Sequence, residues 1–348
     1  MTDITRRARA ALSQHQPIDR LPTMTPRGWV RFAGSVLLAA GLGAFGVWRL
    51  DLEPSVVVGE LLRAQPLLLG AALLVYYGSM PLRAMRWRVF LEASTDHPRQ
   101  RLPGLPGLVR IYLLGWLVNC LLPAKAGELY RTYLLRQESG ARLSTTFGTV
   151  IAERAADLLA LTSLLLVSGV LVFGTQLAST VGDRVVLALL LTLAVIAFLS
   201  AIYTLRGALV RRLPTAVREV IWGVRQGVFG GTEHWPLITV LTVTIWGLEG
   251  LRFFVAAHAV GVALPLDTAL FAALVASLLT TVPLTPAGVG VVEAGIVGLL
   301  LLVGVTETLA ISVALLDRLV AYWSVFLVVP PIWLVTSWKQ VRRRASRA

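Results

Sequence analysis

Long apolar stretches separated by short polar segments run along most of this chain. About 20 residues of helix are needed to cross the roughly 30 Å of hydrocarbon in a bilayer. The pattern predicts six crossings of this length, at residues 31–50, 66–82, 145–173, 184–205, 236–260 and 308–336. We therefore expect an all-α, polytopic membrane protein.

Two further apolar stretches are interrupted by proline and glycine. The first, Leu108 to Leu122, breaks at the segment PAKAGE, and the second, Ala269 to Val282, breaks at PLTPAGVGVVE. Proline removes a backbone donor and glycine relaxes the backbone, so each break leaves free polar groups at membrane depth. We expect two broken or re-entrant helical hairpins, which makes about eight membrane segments. The second could instead form two short full spans.

The segments 106–173 and 267–335 share one order of features. Each has an apolar arm, a break, a glutamate and then an acid-arginine pair, Glu153-Arg154 in the first and Asp317-Arg318 in the second. The topology puts the two breaks on opposite sides of the membrane, which predicts an inverted repeat. Broken hydrophobic segments in matching positions of two halves indicate a transporter-type site near the membrane midplane.

Composition and charge support the membrane assignment and set the orientation. Hydrophobic residues make up 56% of the chain and charged residues 15%, with a net charge of +13. Basic residues concentrate at both ends, between crossings two and three, and between crossings four and five. By the positive-inside rule, both termini are cytoplasmic. The charge suits the anionic inner leaflet of the cell membrane, so we expect no nucleic acid partner.

The domain organisation follows from the same pattern. Residues 1–28 and 339–348 are predicted to be basic cytoplasmic tails, and residues 29–338 a single transmembrane domain. The first 28 residues have no apolar core followed by a small-residue cleavage site, so we expect no cleavable signal peptide.

Charged residues inside the predicted crossings are candidates for function. A charged side chain near the bilayer centre costs about 2.5 to 3.5 kcal/mol on insertion scales, so each should be paired or face water. Arg154 can pair with Asp157, three residues later, and Glu249 with Arg252. Structural ion pairs between packed helices are the alternative. As carriers of a coupling proton or ion we predict four carboxylates: Glu153, Asp157, Glu249 and Asp317.

The breaks themselves predict a substrate site. A helix that begins after a break points its positive dipole end at an anion such as a lipid phosphate. Proline and glycine could instead only terminate short helices, but the glutamate after each break argues against a plain loop. The predicted substrate-binding residues are Lys125, Gly127, Glu128, Arg131, Arg154, Gly288, Glu293 and Arg318.

Neither a cofactor nor a metal is expected. The single cysteine, Cys120, and four scattered histidines do not form a metal-binding pattern. There is also no GxxxxGK[ST] loop for ATP. Movement of a substrate would have to be passive or coupled to an ion or the membrane potential. We predict no catalytic residues and a transporter rather than an enzyme.

Several segments resemble one family. They are PLRAMRWRVFL (residues 81–91), NCLLPAKAGELYRTYLL (119–135), TVIAERAADLL (149–159), VPLTPAGVGVVEAG (282–295) and LLDRLVAYW (315–323). From about residue 30 to 336, the chain resembles the lysylphosphatidylglycerol synthase transmembrane-region family of flippase-like membrane proteins. Two positions depart from that pattern, since Lys125 stands where arginine is common and Ala287 where a second glycine is common.

The resemblance implies a function. In the best-known members this domain moves lipids with lysyl or alanyl headgroups between leaflets, and a separate soluble C-terminal domain makes the lipid. We expect this chain to lack that aminoacyltransferase domain, so the likeness implies translocation without synthesis. The expected partners are membrane lipids with an anionic or aminoacylated headgroup. Two protein partners are also expected, a separate lipid-modifying enzyme and a second copy of the chain in a homodimer.

Two other functions fit the same residues. A membrane-embedded transferase acting on a lipid would also use carboxylates and arginines near the interface, such as Glu128, Arg131 and Glu153. A non-catalytic partner of lipid or cell-envelope synthesis enzymes is the third possibility.

Overall fold

The computed structural model describes residues 54–94, 102–122, 125–174, 214–229, 232–280 and 286–345 of the 348-residue chain. Every regular element in these ranges is helical. The helices are α1 Pro54–Leu62, α2 Pro66–Ala93, α3 Leu105–Leu121, α4 Ala126–Ser139, α5 Leu143–Phe173, α6 Thr215–Phe229, α7 Trp235–Ala259, α8 Leu266–Leu279, α9 Val291–Leu302, α10 Glu307–Arg318 and α11 Ser324–Ala345. The crossings predicted at 31–50 and 184–205 and the N-terminal tail lie outside the described residues.

Four long helices are apolar enough to cross a membrane. They are Pro66–Ala93, Leu143–Phe173, Trp235–Ala259 and Glu307–Leu334. The last of these combines α10, the π-helical turn Leu319–Trp323 and most of α11. All four coincide with predicted crossings. The helix of α11 continues to Ala345, into the segment predicted as a basic tail.

Helix α2 is longer than the apolar run that predicted it. The prediction ended at residue 82, just before Arg83, whereas the helix continues to Ala93. Arginine is a good helix former, and Arg88 Nε lies 2.8 Å from Glu92 Oε1 one turn later. The end of an apolar run was therefore not the end of the helix.

The two predicted hairpins are present as short helices joined at a break. Helices α3, α4, α8 and α9 have 17, 14, 14 and 12 residues. At 1.5 Å per residue each is about 18 to 26 Å long, less than the roughly 30 Å of the hydrocarbon core. Each arm is therefore too short to cross a bilayer upright, which supports the prediction of broken hairpins.

Both breaks use the left-handed backbone region. Lys125 has φ 52° and Ala287 has φ 48°, and among the described residues these are the two non-glycine positions with positive φ. In the first hairpin the arms approach closely at Gly127, where an added Cβ would overlap the carbonyl oxygen of Gly115. Glycine is needed there because any side chain would push the two arms apart.

The bundle is packed inside and apolar outside. Buried side chains from α2, α3, α7, α8, α9 and α10 form one continuous core, in which Trp87, Leu108 and Phe253 are almost fully buried. Large apolar side chains also lie on the surface of the long helices, with Leu67 84% exposed and Leu327 76% exposed. An apolar exterior on long helices is what a lipid environment favours.

Candidate functional site

Most of the charged residues inside the long helices lie in the interior and form two clusters. The first cluster comprises Arg86 of α2, Lys125, Glu128 and Arg131 at the first break, and Glu153, Arg154 and Asp157 of α5. The second cluster comprises Arg83 of α2, Glu249 and Arg252 of α7, Glu293 of α9, and Asp317 and Arg318 of α10.

Glu153 is the centre of the first cluster. Its carboxylate accepts hydrogen bonds from Arg86 Nη2 at 3.0 Å and from Arg131 Nη2 at 2.5 Å. The hydroxyl of Tyr112 lies 3.3 Å away and donates to the same carboxylate. Glu153 is completely buried. A buried carboxylate is stable only when it is paired and hydrogen-bonded, and these donors from α2, α3 and α4 supply that pairing.

Arg86 joins three long helices. Its Nη1 donates to Asp157 Oδ1 at 2.6 Å and to Thr242 Oγ1 at 3.0 Å, in addition to the bond from Nη2 to Glu153. Because these acceptors lie on α5 and α7, the guanidinium holds α2 against both helices. The planar fork of arginine is suited to several acceptors at once.

Arg154 is a partly exposed member of the first cluster. Its Nη2 lies 3.0 Å from Asp157 Oδ2, as the three-residue spacing predicted, and 3.6 Å and 3.9 Å from oxygens of Glu153 and Glu128. Its side chain is 34% exposed. The predicted pairing with Asp157 is thus confirmed, and this guanidinium also faces the break.

Aromatic rings line the first cluster. The guanidinium carbon of Arg131 lies 4.7 Å from the centroid of the Trp87 ring and 4.9 Å from that of Tyr112. Trp87 in turn donates from Nε1 to Thr149 Oγ1 at 3.2 Å. Cation–π contacts within about 6 Å stabilise a desolvated guanidinium.

The Gly127 amide has a protein acceptor. It donates to Asn119 Oδ1 at 2.8 Å, across the first break. This bond ties the start of α4 to the end of α3, and the amide that was predicted to face an anion is used to close the hairpin.

The second cluster connects α2 to α7 and α10. Arg83 Nη2 lies 2.5 Å from Glu249 Oε1, and Arg252 Nε lies 3.0 Å from Glu249 Oε2. Arg252 also pairs with Asp317. The predicted pairing of Glu249 with Arg252 is therefore confirmed, and Asp317 pairs with another helix rather than with its neighbour Arg318.

Arg318 closes the second break. Its Nε donates to Glu293 Oε1 at 2.9 Å and its Nη2 donates to the carbonyl oxygen of Ala287 at 2.9 Å. Glu293 Oε2 accepts from the Gly290 amide at 2.7 Å, which caps the start of α9. The glutamate after the break thus holds both the helix terminus and the arginine.

Residues 32–328 match the family model described as the lysylphosphatidylglycerol synthase TM region. The chain belongs to this family. It is therefore a multi-pass membrane protein, in agreement with its four long apolar helices.

Relatives of known sequence cover most of the chain. A UPF0104 membrane protein of Methanocaldococcus jannaschii is 31% identical over 215 residues, which is 60% of this chain and 90% of the relative. A UPF0104 membrane protein of Methanothermobacter thermautotrophicus is 25% identical over 319 residues, 84% of this chain and 89% of the relative. The Glycosyltransferase AglD of Haloferax volcanii is 26% identical over 339 residues, 83% of this chain but 53% of the relative.

The correspondence between the two halves of this chain extends further than the sequence indicated. Arg86 on α2 pairs with Glu153, and Arg252 on α7 pairs with Asp317. Each of these acids is followed by an arginine that lies close to the glutamate after the break. The distance from Arg154 Nη2 to Glu128 Oε1 is 3.9 Å in the first half. The distance from Arg318 Nε to Glu293 Oε1 is 2.9 Å in the second half. Helices α2 and α7 therefore belong to the repeat.

The structure also identifies functional candidates that sequence reasoning missed. Arg83 and Arg86 were assigned to a cytoplasmic segment because the apolar run ended before them, but α2 carries both into the core. The available signal was their three-residue spacing, which matches that of Glu249 and Arg252. Both arginines and Trp87 also lie in PLRAMRWRVFL, one of the segments that resemble the family, whereas Tyr112 gave no sequence signal.

All predicted site residues lie in or beside the two clusters. Gly288, with φ 71°, lies at the second break next to Ala287, whose carbonyl oxygen accepts a hydrogen bond from Arg318. Each of the four carboxylates predicted to couple transport to a proton or ion pairs with at least one arginine. Their coupling role stays a prediction, and protonation of any of them would have to compete with an arginine.

Proposed function

We propose that this protein is a lipid translocase, which moves a phospholipid or another lipid with a polar headgroup between the leaflets of the cytoplasmic membrane. Both termini would lie in the cytoplasm. The supporting observation is a series of charged side chains that extends from one break to the other. Ion pairs join its members except at two points, between Arg86 and Arg83 and between Asp317 and Arg318, which are neighbours on one helix. The series runs through Arg154, Glu153, Arg86, Arg83, Glu249, Arg252, Asp317, Arg318 and Glu293.

The depth of these charges supports a path across the membrane. Counted from the predicted cytoplasmic ends of the membrane spans Pro66–Ala93, Leu143–Phe173 and Glu307–Leu334, Arg86 lies about 10 Å along its span, Glu153 about 15 Å and Asp317 about 25 Å, at 1.5 Å per residue. Charges at such depths are costly and are rare in membrane helices without a functional reason. In the proposed orientation these three side chains would provide charge at depths between about 10 and 25 Å in a hydrocarbon core of roughly 30 Å, which a headgroup cannot cross alone.

The chemistry of the series suits a phosphate. An arginine that exchanges a carboxylate for a phosphate oxygen keeps a charge-assisted bond at each step. A headgroup could then pass from Arg154 towards Arg318 while its acyl chains stay in the bilayer beside the exposed apolar surface. Protonation of one carboxylate would free its arginine, which is how Glu153, Asp157, Glu249 or Asp317 would couple transport to a proton.

A transferase acting on a lipid is the second candidate. It is favoured by the similarity to a protein named a glycosyltransferase, of which this chain covers 53%. The two proposals differ in what becomes of the lipid, since a translocase leaves it chemically unchanged. Turnover of labelled lipid by the purified protein would support the transferase.

Leaflet exchange tests the translocase directly. Fluorescent phospholipids with different headgroups are placed in liposomes that hold the purified protein, the Glu128→Gln variant or the Glu60→Gln variant. Glu128 lies in the first cluster, whereas Glu60 lies on α1 and pairs with exposed Arg63, so it serves as the matched control. We expect exchange by the wild type and by Glu60→Gln, and a loss of at least about tenfold in Glu128→Gln, the effect of one charged hydrogen bond.

Two results would count against this function. Exchange at the rate of empty liposomes with every headgroup would favour the transferase or a non-catalytic partner of a lipid-modifying enzyme. Leaflet exchange at the wild-type rate in the Glu128→Gln variant would show that Glu128 at the first break is not needed for transport.

A further inference from the structure

The two clusters differ in their balance of charge. The first cluster has four cations, Arg86, Lys125, Arg131 and Arg154, and three carboxylates, Glu128, Glu153 and Asp157. The second cluster has three cations, Arg83, Arg252 and Arg318, and three carboxylates, Glu249, Glu293 and Asp317. The first cluster therefore has one positive charge more than its carboxylates balance.

The guanidinium donors show the same difference. In the first cluster the buried Nε atoms of Arg86, Arg131 and Arg154 have no hydrogen-bond acceptor within the part of the chain that the structure describes. In the second cluster every Nε has one. Arg83 Nε donates to Ser79 Oγ at 3.4 Å, and those of Arg252 and Arg318 donate to Glu249 and Glu293. One buried acceptor of the first cluster, Glu128 Oε2, also lacks a hydrogen bond within the described ranges, so three unpaired donors stand against one unpaired acceptor. The first cluster is thus short of acceptors as well as of negative charge.

Lys125 accounts for the surplus cation. It lies at the first break with a left-handed backbone, half-buried, and it forms no ion pair with any residue in the described ranges. The residue with the same left-handed backbone at the second break is Ala287, which has no charge and whose carbonyl oxygen accepts a hydrogen bond from Arg318. The first break is therefore built to receive an anion, and the second is closed by its own arginine.

We infer that the first cluster is the binding site for the monoanionic phosphodiester of an anionic lipid, held by Lys125, Arg131 and Arg154. This inference rests on the proposed function and specifies its substrate class. A phosphodiester carries one negative charge, which equals the surplus, and its oxygens only accept hydrogen bonds, which matches the unpaired guanidinium donors.

The same balance disfavours aminoacylated headgroups. A lysyl group brings ammonium groups towards a cluster that already has a positive surplus, and juxtaposed like charges are costly where water is scarce. We therefore expect this protein to select phosphatidylglycerol-like anionic lipids over lysylated and zwitterionic ones. Selectivity arises here from the charge count rather than from the shape of a pocket.

Binding can be measured separately from transport. The purified protein in neutral detergent is titrated with short-chain phosphatidylglycerol, with phosphatidylcholine of the same chain length, or with inorganic phosphate, and its thermal unfolding midpoint is followed. The variants are Lys125→Met, Lys125→Arg and the control Arg63→Met, whose side chain is 79% exposed and lies outside both clusters.

We expect phosphatidylglycerol to raise the unfolding midpoint at lower concentration than phosphatidylcholine. Lys125→Met should weaken its apparent affinity about tenfold or more, the effect of one charge-assisted bond, whereas Lys125→Arg should restore most of it. Arg63→Met should bind like the wild type. The headgroup comparison in the wild type tests the inference even if Lys125→Met does not fold.

Three outcomes would overturn the inference. They are equal stabilisation by both lipids, unchanged affinity in Lys125→Met, and stabilisation by inorganic phosphate but not by phosphatidylglycerol, which would make the site one for free phosphate. Its failure is distinguishable from that of the proposed function. Leaflet exchange without headgroup preference would support the translocase and contradict the selective site. Selective binding without any exchange would support the site and contradict the translocase.

Discussion

A single buried arginine can hold much of this bundle together. Arg86 is fully buried, and its guanidinium donates to Glu153, Asp157 and Thr242 on two other helices. Removing one partner of a buried ion pair leaves the other charge in a medium that cannot solvate it. At the scale of the residue, stability and the proposed headgroup path therefore depend on the same side chains.

Replacing Arg86 with methionine should destabilise the protein by about 3 to 5 kcal/mol, because Glu153 and Asp157 would lose a buried partner. The control is Arg88→Met two residues later. That arginine forms a partly exposed pair with Glu92, of the kind worth about 0.3 to 0.5 kcal/mol. The measurement is unfolding of the purified variants in detergent. Equal stability of the two variants would show that the first cluster does not support the fold.

The broken hairpins are the elements that give this bundle its interior charge. Each has two arms too short to cross a bilayer, and each break turns through a non-glycine residue in the left-handed region. The break places Glu128 or Glu293 beside an arginine from a long helix. The first hairpin is also connected to the last long helix, because the Tyr322 hydroxyl, in the π-helical turn after Arg318, donates to the carbonyl oxygen of Cys120 at 3.2 Å.

Close contact within the first hairpin should be sensitive to one methyl group. Gly127→Ala would overlap the Gly115 carbonyl and crowd Asn119, and overpacking of this kind typically costs about 1 to 3 kcal/mol. Gly78→Ala on α2 is the control, since nothing lies within 4 Å of its added Cβ and alanine is the better helix former. Thermal unfolding in detergent should show a lower midpoint for Gly127→Ala only. A stable Gly127→Ala protein would mean that the arms can separate without cost.

At the scale of the molecule, the two halves repeat one another without being equal. The first half carries the surplus cation and the partly exposed Arg154, whereas the second half is charge-balanced and closed by Arg318. If the halves are inverted across the membrane, the first break faces the cytoplasm and the second the opposite side. Transporters with this architecture exchange such states during transport.

The inverted orientation can be tested with cysteine labelling. In a Cys120→Ser background, cysteine is introduced at exposed Arg142, between α4 and α5, or at exposed Ala263, between α7 and α8. The positive-inside rule predicts that a membrane-impermeant maleimide labels position 142 only from the cytoplasm and position 263 only from outside. Labelling of both positions from the same side would contradict the topology.

Sequence alone was sufficient for much of this picture. The length of the apolar stretches predicted the four long helices. The proline and glycine residues that interrupt two further stretches predicted both broken hairpins. The local pairs Arg154 with Asp157 and Glu249 with Arg252 followed from their three-residue spacing, because such spacing places two side chains on one helix face. These features depend on neighbouring residues or on the length of an apolar run, so no knowledge of packing was needed.

Tertiary structure decided which distant charges meet. The sequence predicted that Arg83 and Arg86 lie beyond the second crossing. The packing of α2 against α5 and α7 instead pairs them with Glu249 and Glu153 in the interior. The difference between the two halves was equally hidden, since it depends on which guanidinium nitrogens find acceptors across helices. Sequence determined which charged residues lie within predicted membrane helices, because each membrane-spanning segment must be apolar over about 20 consecutive residues. Their pairing is set by side chains tens of residues apart, and only the fold brings those together.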